Sequence, residues 1–254
     1  MDDLIRFKEH CQEFRADLVI IGAIAFLAHF PDELRYTADI DFAVALDLNE
    51  FAKLEKRLLA SGWARAQNRE HRWRSAGGTL LDLIPAGHEL RKAKEVVWPK
   101  SKFAMSLFGF DHVFLRAEPV QFAEDLEFRV IPPIVLMLLK IVAFMDDQNE
   151  RVKDLIDIRS LMRRYETDSD RLFSDVVLNA ELKDFDMANA LLLGFDLAAL
   201  CSDEEVQIVW NFIAALGEDR SAWMSFVRSG SKIHTDETAR LQLIAFTKGF
   251  ATGR

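Results

Sequence analysis

Two adjacent prolines, Pro132 and Pro133, divide the chain into halves of opposite texture. Proline cannot donate to a sheet ladder and is tolerated in a helix chiefly at its first turn. Ile131-Pro132-Pro133 therefore reads as a boundary, with Pro133 opening a helix. Before it, short apolar runs alternate with turn residues. After it, apolar residues recur at helical period over 132–147, 150–164, 169–178, 186–200, 203–216, 219–228 and 236–250. The expected fold is α+β: residues 1–131 form a small mixed sheet with flanking helices, and residues 132–254 a helical bundle.

Composition sets the class of molecule. Of 254 residues, 50% are hydrophobic and 29% charged, enough to line a core and cover it. The net charge of -9 argues against broad, sequence-blind binding of nucleic acid. Cys11 and Cys201 lie too far apart in sequence for a zinc spacing and fit a reducing compartment. Met1-Asp2-Asp3 is the reverse of a secretory leader. The run Ile134 to Met145 is broken by Lys140 and falls short of the roughly 20 residues a bilayer needs. A cytoplasmic protein with no membrane partner is the expectation.

Within the first half, Asp3 to Phe14 predicts an amphipathic helix. Asp17-Leu-Val-Ile-Ile-Gly22 predicts a buried strand, and Ala23 to Phe30 a helix stopped at Pro31. Ala38 to Leu46 predicts a strand, and Asp47 an N-cap for a helix to Leu59 that closes at Ser61-Gly62. Trp63–Arg74 and Thr79–Ile84 read as two strands joined by a Gly77-Gly78 turn. Val96, Val113–Leu115, Val120–Phe122 and Phe128–Ile131 read as short β pieces completing a sheet.

The chemistry concentrates at three places. A strand that ends at Gly22 and opens directly into a helix aims backbone N–H groups and the helix dipole at one point, which favours phosphate. Asp39 and Asp41, two apart in a strand, project from one face. Such a pair is costly unless a cation neutralises it, and carboxylate oxygens suit Mg²⁺. Asp82 is a lone acid inside Leu80-Leu-Asp-Leu-Ile84, where an unpaired carboxylate is expensive. Three such acids at one end of a sheet could hold two Mg²⁺ ions, one activating a hydroxyl and one steadying a leaving pyrophosphate. An alternating acid strand on a protein surface is the plain alternative.

Gly22-x6-His29, followed by Arg35-x-Thr37-x-Asp39-Ile-Asp41, resembles the signature of the DNA polymerase β-like nucleotidyltransferase superfamily, in the branch of AbiEii-like toxins and minimal nucleotidyltransferases. Lys140-Ile-Val-Ala-Phe144 and Arg151-Val-Lys153-Asp154-Leu-Ile-Asp157 are similar to two helices that follow the core in that branch. The resemblance implies that Asp39, Asp41 and Asp82 bind metal. It makes Asp82 the base for the acceptor hydroxyl, lets Gly22 bring backbone against the triphosphate, and sends Lys140 to the phosphates. Asp154 would organise the nucleotide or the basic residues around it. Where this branch usually has Gly-Gly or Gly-Ser, the chain has Gly22-Ala23, which keeps the N–H but removes a hydroxyl or a second glycine's freedom.

Physics treats Lys140 independently. It is the one charge on a helix apolar all round, and a buried ammonium without an anion costs several kcal/mol, so it should face a cleft or an acid unless its stem snorkels. Arg35 and Thr37 precede the acid strand and could bond near a nucleotide, or Arg35 could simply hold an acid. His29 reads as a packed residue late in its helix. Arg69 to Arg74 is either a clamp for a base or acceptor or a solvated strand face. Arg151 and Lys153 are either phosphate contacts or surface partners of Asp154 and Asp157.

The expected activity is metal-dependent transfer of a nucleoside monophosphate from an NTP to an acceptor hydroxyl with release of pyrophosphate, in a toxin–antitoxin setting that implies an antitoxin partner. The acceptor stays open between a tRNA end, a protein side chain and a small hydroxyl compound. The departure at Ala23 motivates a second expectation, a weak or inactive nucleotide-binding or protein-interaction module on the same fold. Residues 65–102 carry nine Lys/Arg against four Asp/Glu, so the acidity of the chain is uneven and a basic excess flanks Asp82, where a polyanion would lie.

Overall fold

The structure, a computed structural model, describes residues 2–32, 37–66, 69–167, 169–228 and 236–254. Two compact units result, Met1–Pro132 and Pro133–Arg254.

The first unit contains helices α1 (Asp2–Glu13), α2 (Gly22–His29), α3 (Leu48–Ala60), α4 (His88–Ala93) and α5 (Phe110–Arg116). Its strands are β1 (Leu18–Ile21), β2 (Asp39–Val44), β3 (Ala64–Arg65), β4 (Arg72–Arg74), β5 (Leu80–Pro85), β6 (Glu95–Val97), β7 (Ala104–Ser106), β8 (Glu118–Ala123) and β9 (Leu126–Val130). Seven of them make one mixed sheet in the order β3-β4-β5-β2-β1-β9-β8, and β6 pairs with β7. Strand β2 runs antiparallel to β1 and parallel to β5, and β1 runs parallel to β9.

Alternation along β2 separates the two faces of the sheet. Phe42 goes to the core, its ring 5.3 Å from Phe7 of α1 and 5.2 Å from Phe128 of β9. Phe7 also meets Trp63 at 6.0 Å, so α1 closes that face over an aromatic cluster. Asp39 and Asp41 take the other face. His29 ends α2 with its Nε2 2.8 Å from the carbonyl oxygen of Ile131, which ties the helix to the end of β9.

Three local expectations are corrected. Trp63–Arg74 is not one strand: β3 and β4 lie within it and pair antiparallel with each other, Ala64 opposite Arg74 and Arg65 opposite Trp73. Val113–Leu115 is helical rather than β, within α5; Phe110 and Val113, three apart, are buried while Leu115 is 77% exposed, and tertiary burial sets the period. The Asp47 side chain does not cap α3. It instead accepts from the backbone N–H groups of Glu89 and Leu90 at 3.4 and 3.0 Å, and so starts α4.

The second unit is helical among its described residues: α6 (Pro133–Asp146), α7 (Asp154–Arg164), α8 (Asp175–Leu178), α9 (Ala188–Leu200), α10 (Asp203–Glu218), α11 (Arg220–Arg228) and α12 (Asp236–Thr252). Pro133 is the first residue of α6. The predicted helix over 169–178 is split into a 3-10 turn, Asp170–Phe173, and α8. Helices α9 and α12 touch backbone to backbone: a Cβ on Gly194 would lie 2.1 Å from the carbonyl oxygen of Phe246, and one on Gly249 1.9 Å from that of Leu191. Ser202 and Glu205 form a reciprocal capping box at the start of α10. No helix among the described residues is long and apolar enough to cross a membrane.

Candidate active site

The acid strand and the glycine turn interlock. Gly22 has φ +67, a left-handed backbone, and a Cβ there would lie 2.1 Å from Oδ2 of Asp41. The carboxylate of Asp41 thus occupies the space a side chain at 22 would need, and only glycine satisfies both the dihedral and the approach. Ile21 and Asp41 are register partners across β1 and β2, which fixes this contact. Helix α2 begins at Gly22 with no side-chain cap and no acid in its first turn, and Ala23 is buried there. The first-turn N–H groups of α2 and the carboxylate of Asp41 therefore share one corner of the sheet.

Strand register brings the third acid alongside. Asp41 pairs with Asp82 across the parallel β2–β5 ladder, and Asp82 pairs with Arg72 across the antiparallel β5–β4 ladder. Register partners share a face, so Asp39, Asp41, Asp82 and Arg72 project together. Arg72 donates from Nε to Asp82 Oδ1 at 2.7 Å and from Nη2 to Asp82 Oδ2 at 2.6 Å, and Nη2 also bonds Asp39. Thr37 donates to Oδ1 of Asp39 at 3.0 Å. The bond to Asp82, with the charges of Asp82, Asp39 and Asp41, raises the pKa of Arg72 above its ordinary value against the opposing effect of burial. His71 Nε2 stands 3.9 Å from Asp82 Oδ2. Burial lowers its pKa below the ordinary 6.5, helped by Arg69 and Arg72 and opposed by Asp82, so the imidazole is held neutral.

The arrangement departs from a three-carboxylate cation site. The donors are right in kind, hard oxygens on one face, but Arg72 takes both oxygens of Asp82 and one of Asp39. Among the described residues no three His, Cys, Asp or Glu side chains are disposed to hold a metal ion. As arranged, the residues do not fit the expected pair of Mg²⁺ ions.

The remaining candidates fall elsewhere. Arg35 lies outside the described residues. Lys140, in α6, is 10% exposed, and its Nζ lies 2.7 Å from Asp154 Oδ1 and 2.8 Å from Asp157 Oδ2 of α7. Of the two surroundings its sequence context allowed, it has acids. Arg151 Nε pairs with Asp154 Oδ2 at 2.8 Å, and Lys153 is exposed at the N-cap of α7. Asp154 thus organises two cations. Of the stretch Arg69–Arg74, Trp73 is fully buried, with the guanidinium of Arg65 5.0 Å above its ring, and is no clamp for a base.

Arg72 is the participant that sequence reasoning missed. The signal was present: 72 and 82 each lie five residues from Gly77, so a hairpin centred on that residue sets an arginine opposite the lone buried acid.

A mixed sheet whose acid strand lies against a glycine-opened helix, with a third acid on the neighbouring strand, describes a protein of the nucleotidyltransferase class. The family model described as "Nucleotidyl transferase AbiEii toxin, Type IV TA system" matches residues 8–215, and the chain belongs to that family. No curated protein matches the chain. Among solved structures, an antigenic nucleotidyltransferase-like protein from Paracoccidioides brasiliensis is similar at 15% identity, over 87% of this chain and 89% of that one, with a TM-score of 0.47. JHP933 from Helicobacter pylori is similar at 13% identity, over 99% and 91% of the two chains, with a TM-score of 0.42.

Proposed function

We propose that this nucleotidyltransferase moves a nucleoside monophosphate from an NTP to an acceptor hydroxyl at the face carrying Asp39, Asp41 and Asp82. The acceptor oxygen bonds to the α-phosphorus, the bond to the β,γ-pyrophosphate breaks, and the hydroxyl proton passes to Asp82. The observation that carries the reading is the contact of Asp41 with Gly22, which sets the acid strand against the uncapped first turn of α2. N–H groups and dipole there favour the triphosphate, and Gly22 and Ala23 present them. Thr37 fixes the Asp39 carboxylate by donating to it.

The family supports a divalent metal, but with Arg72 seated on Asp82 and Asp39 the acids as arranged do not take the expected Mg²⁺ pair. Lys140 and Asp154 we assign to folding of the second unit, because the Lys140 ammonium is engaged by two carboxylates. Lys153 remains an exposed candidate for contact with polyanion, whereas Arg151 is half-exposed and paired with Asp154. The toxin–antitoxin family supports an antitoxin partner and action in the cytoplasm. The acceptor we leave among a tRNA end, a protein side chain and a small hydroxyl compound.

Incubation with α-labelled NTPs, Mg²⁺ and each acceptor class tests the reading. Label transfer with pyrophosphate release is expected from the wild type. Transfer undiminished in the Asp39→Asn, Asp41→Asn double variant overturns the site.

A further inference from the structure

Strand β4 carries Arg72 and has little of its own with which to hold it. Arg72 is the first of its three residues, and its outer neighbour β3 has only two. Strands this short pair weakly, and their ends open first. Arg72 must nevertheless keep register with Asp82, whose two oxygens it grips at 2.7 and 2.6 Å. Further support comes from outside the sheet.

The β6–β7 hairpin supplies it. These strands form a separate antiparallel pair, and the turn between them reaches residues 70 and 71. The Glu70 carboxylate accepts from the backbone N–H of Lys100 at 3.0 Å, from that of Ser101 at 2.7 Å and from the Ser101 hydroxyl at 2.7 Å. Successive N–H groups at a turn make a concavity suited to an anion, and here the anion is a side chain of the same unit. Trp98, 2% exposed, sets its ring 5.6 Å from that of His71 and 6.3 Å from that of Phe51 in α3. The hairpin is itself fixed, because Val96 and Trp98 are buried. On the other side, the His71 carbonyl oxygen accepts from the Leu83 N–H of β5 at 2.8 Å. Glu70, His71 and Arg72 are thus held in succession, to the hairpin turn, to Trp98 and β5, and to Asp82.

We propose that Glu70 is a positioning residue for nucleotidyl transfer: its carboxylate, seated in the β6–β7 turn, braces His71 and Arg72, and through Arg72 sets where the Asp82 carboxylate lies. This rests on the reading that transfer takes place at the face of Asp39, Asp41 and Asp82. The bonds of Glu70 go to Arg65, Lys100 and Ser101 rather than to those acids, so it acts through orientation. A reacting group displaced by about an ångström can cost on the order of a hundredfold in rate. Loss of the brace should therefore fall on kcat. The KM for NTP should hold, since the triphosphate is assigned to the first turn of α2.

Amide hydrogen exchange of the full chain, followed residue by residue by NMR, and steady-state transfer of labelled NTP test this together. In Glu70→Ala, the Lys100 and Ser101 amides lose their acceptor and should exchange faster. The Leu83 amide, which reports on His71, is expected to exchange about tenfold faster as well. With it kcat should fall about tenfold, at unchanged KM for NTP. Glu70→Gln keeps an acceptor oxygen and should recover most of both losses. A carboxylate that only shapes the turn would free Lys100 and Ser101 while leaving Leu83 and kcat at their wild-type values. That result overturns the brace, as does a rise in KM alone. Should Glu70→Ala not fold, Ser101→Ala removes one of the three donors and must show the same pattern at smaller size. If wild type transfers no nucleotide, the reading of the acid face falls and takes the role in transfer with it, while Leu83 still shows whether the brace exists.

Discussion

Each unit of the protein holds a cluster of acids around a largely buried cation, and the two clusters differ in exposure. In the helical unit, Lys140 and Arg151 meet Asp154 and Asp157, two charges of each sign, with Asp154 1% and Asp157 4% exposed. In the sheet unit, Arg72 faces three acids, of which Asp39 and Asp41 are partly exposed. A balanced, buried cluster has little left to offer a ligand, and breaking it leaves an uncompensated interior charge. A cluster open to solvent can still meet a ligand. Exposure, more than motif, separates the proposed working site from the structural one.

The largest effect that could break this comparison is on the helical side. Lys140→Ala leaves two buried carboxylates without their shared ammonium, and should cost about 3–5 kcal/mol in chemical denaturation of the full chain. A loss below ~1 kcal/mol would mean that the cluster is not structural, and would return Lys140 to the phosphates.

Gly22→Ala comes next. It forces a side chain into a left-handed backbone and against the Asp41 carboxylate, for a stability loss of about 1–3 kcal/mol. Since the methyl must displace Asp41, NTP transfer should fall as well. A variant that is fully stable and fully active would separate the glycine turn from the acid strand.

The smallest effect concerns Asp3 of α1, whose carboxylate accepts from Ser75 Oγ at 2.5 Å and Thr79 Oγ1 at 3.1 Å and so pins α1 to the β4–β5 hairpin. The Ser75 bond holds its pKa below the ordinary 3.8. A depressed carboxyl contributes stability that is present above 3.8 and lost as pH falls through the folded value. Acidification across that window should therefore lower the melting temperature of wild type more than that of Asp3→Asn. Identical pH profiles would remove this link between α1 and the strands that carry Arg72 and Asp82.

What the sequence disclosed follows from where the information is local. The Gly22 turn, the acid pair and the proline boundary are each encoded within a few residues, and a left-handed glycine, two acids on one strand face and the start of α6 stand there. Pairing information is not local. Arg72 becomes the partner of Asp82 only once the hairpin register is set, and the charge runs around it suggested a clamp for substrate instead. Lys140 announced that it needed an anion or a cleft, but Asp154 and Asp157 lie on another helix, and only packing selects them. Val113–Leu115 misled because three residues of high β propensity cannot show a period, and burial of Phe110 with Val113 decided it.

The distinction between the two clusters stands or falls with Asp41, whose carboxylate serves chemistry rather than the fold. The most direct measurement is the melting temperature of Asp41→Asn in chelator, a change that removes one charge and keeps the shape. If this carboxylate is held for chemistry at the expense of stability, the variant melts higher than wild type, by roughly 1–3 °C, while NTP transfer by the same preparation is lost. A variant that melts lower than wild type would show that the Asp41 charge serves the fold, and would contradict the distinction drawn between the two clusters.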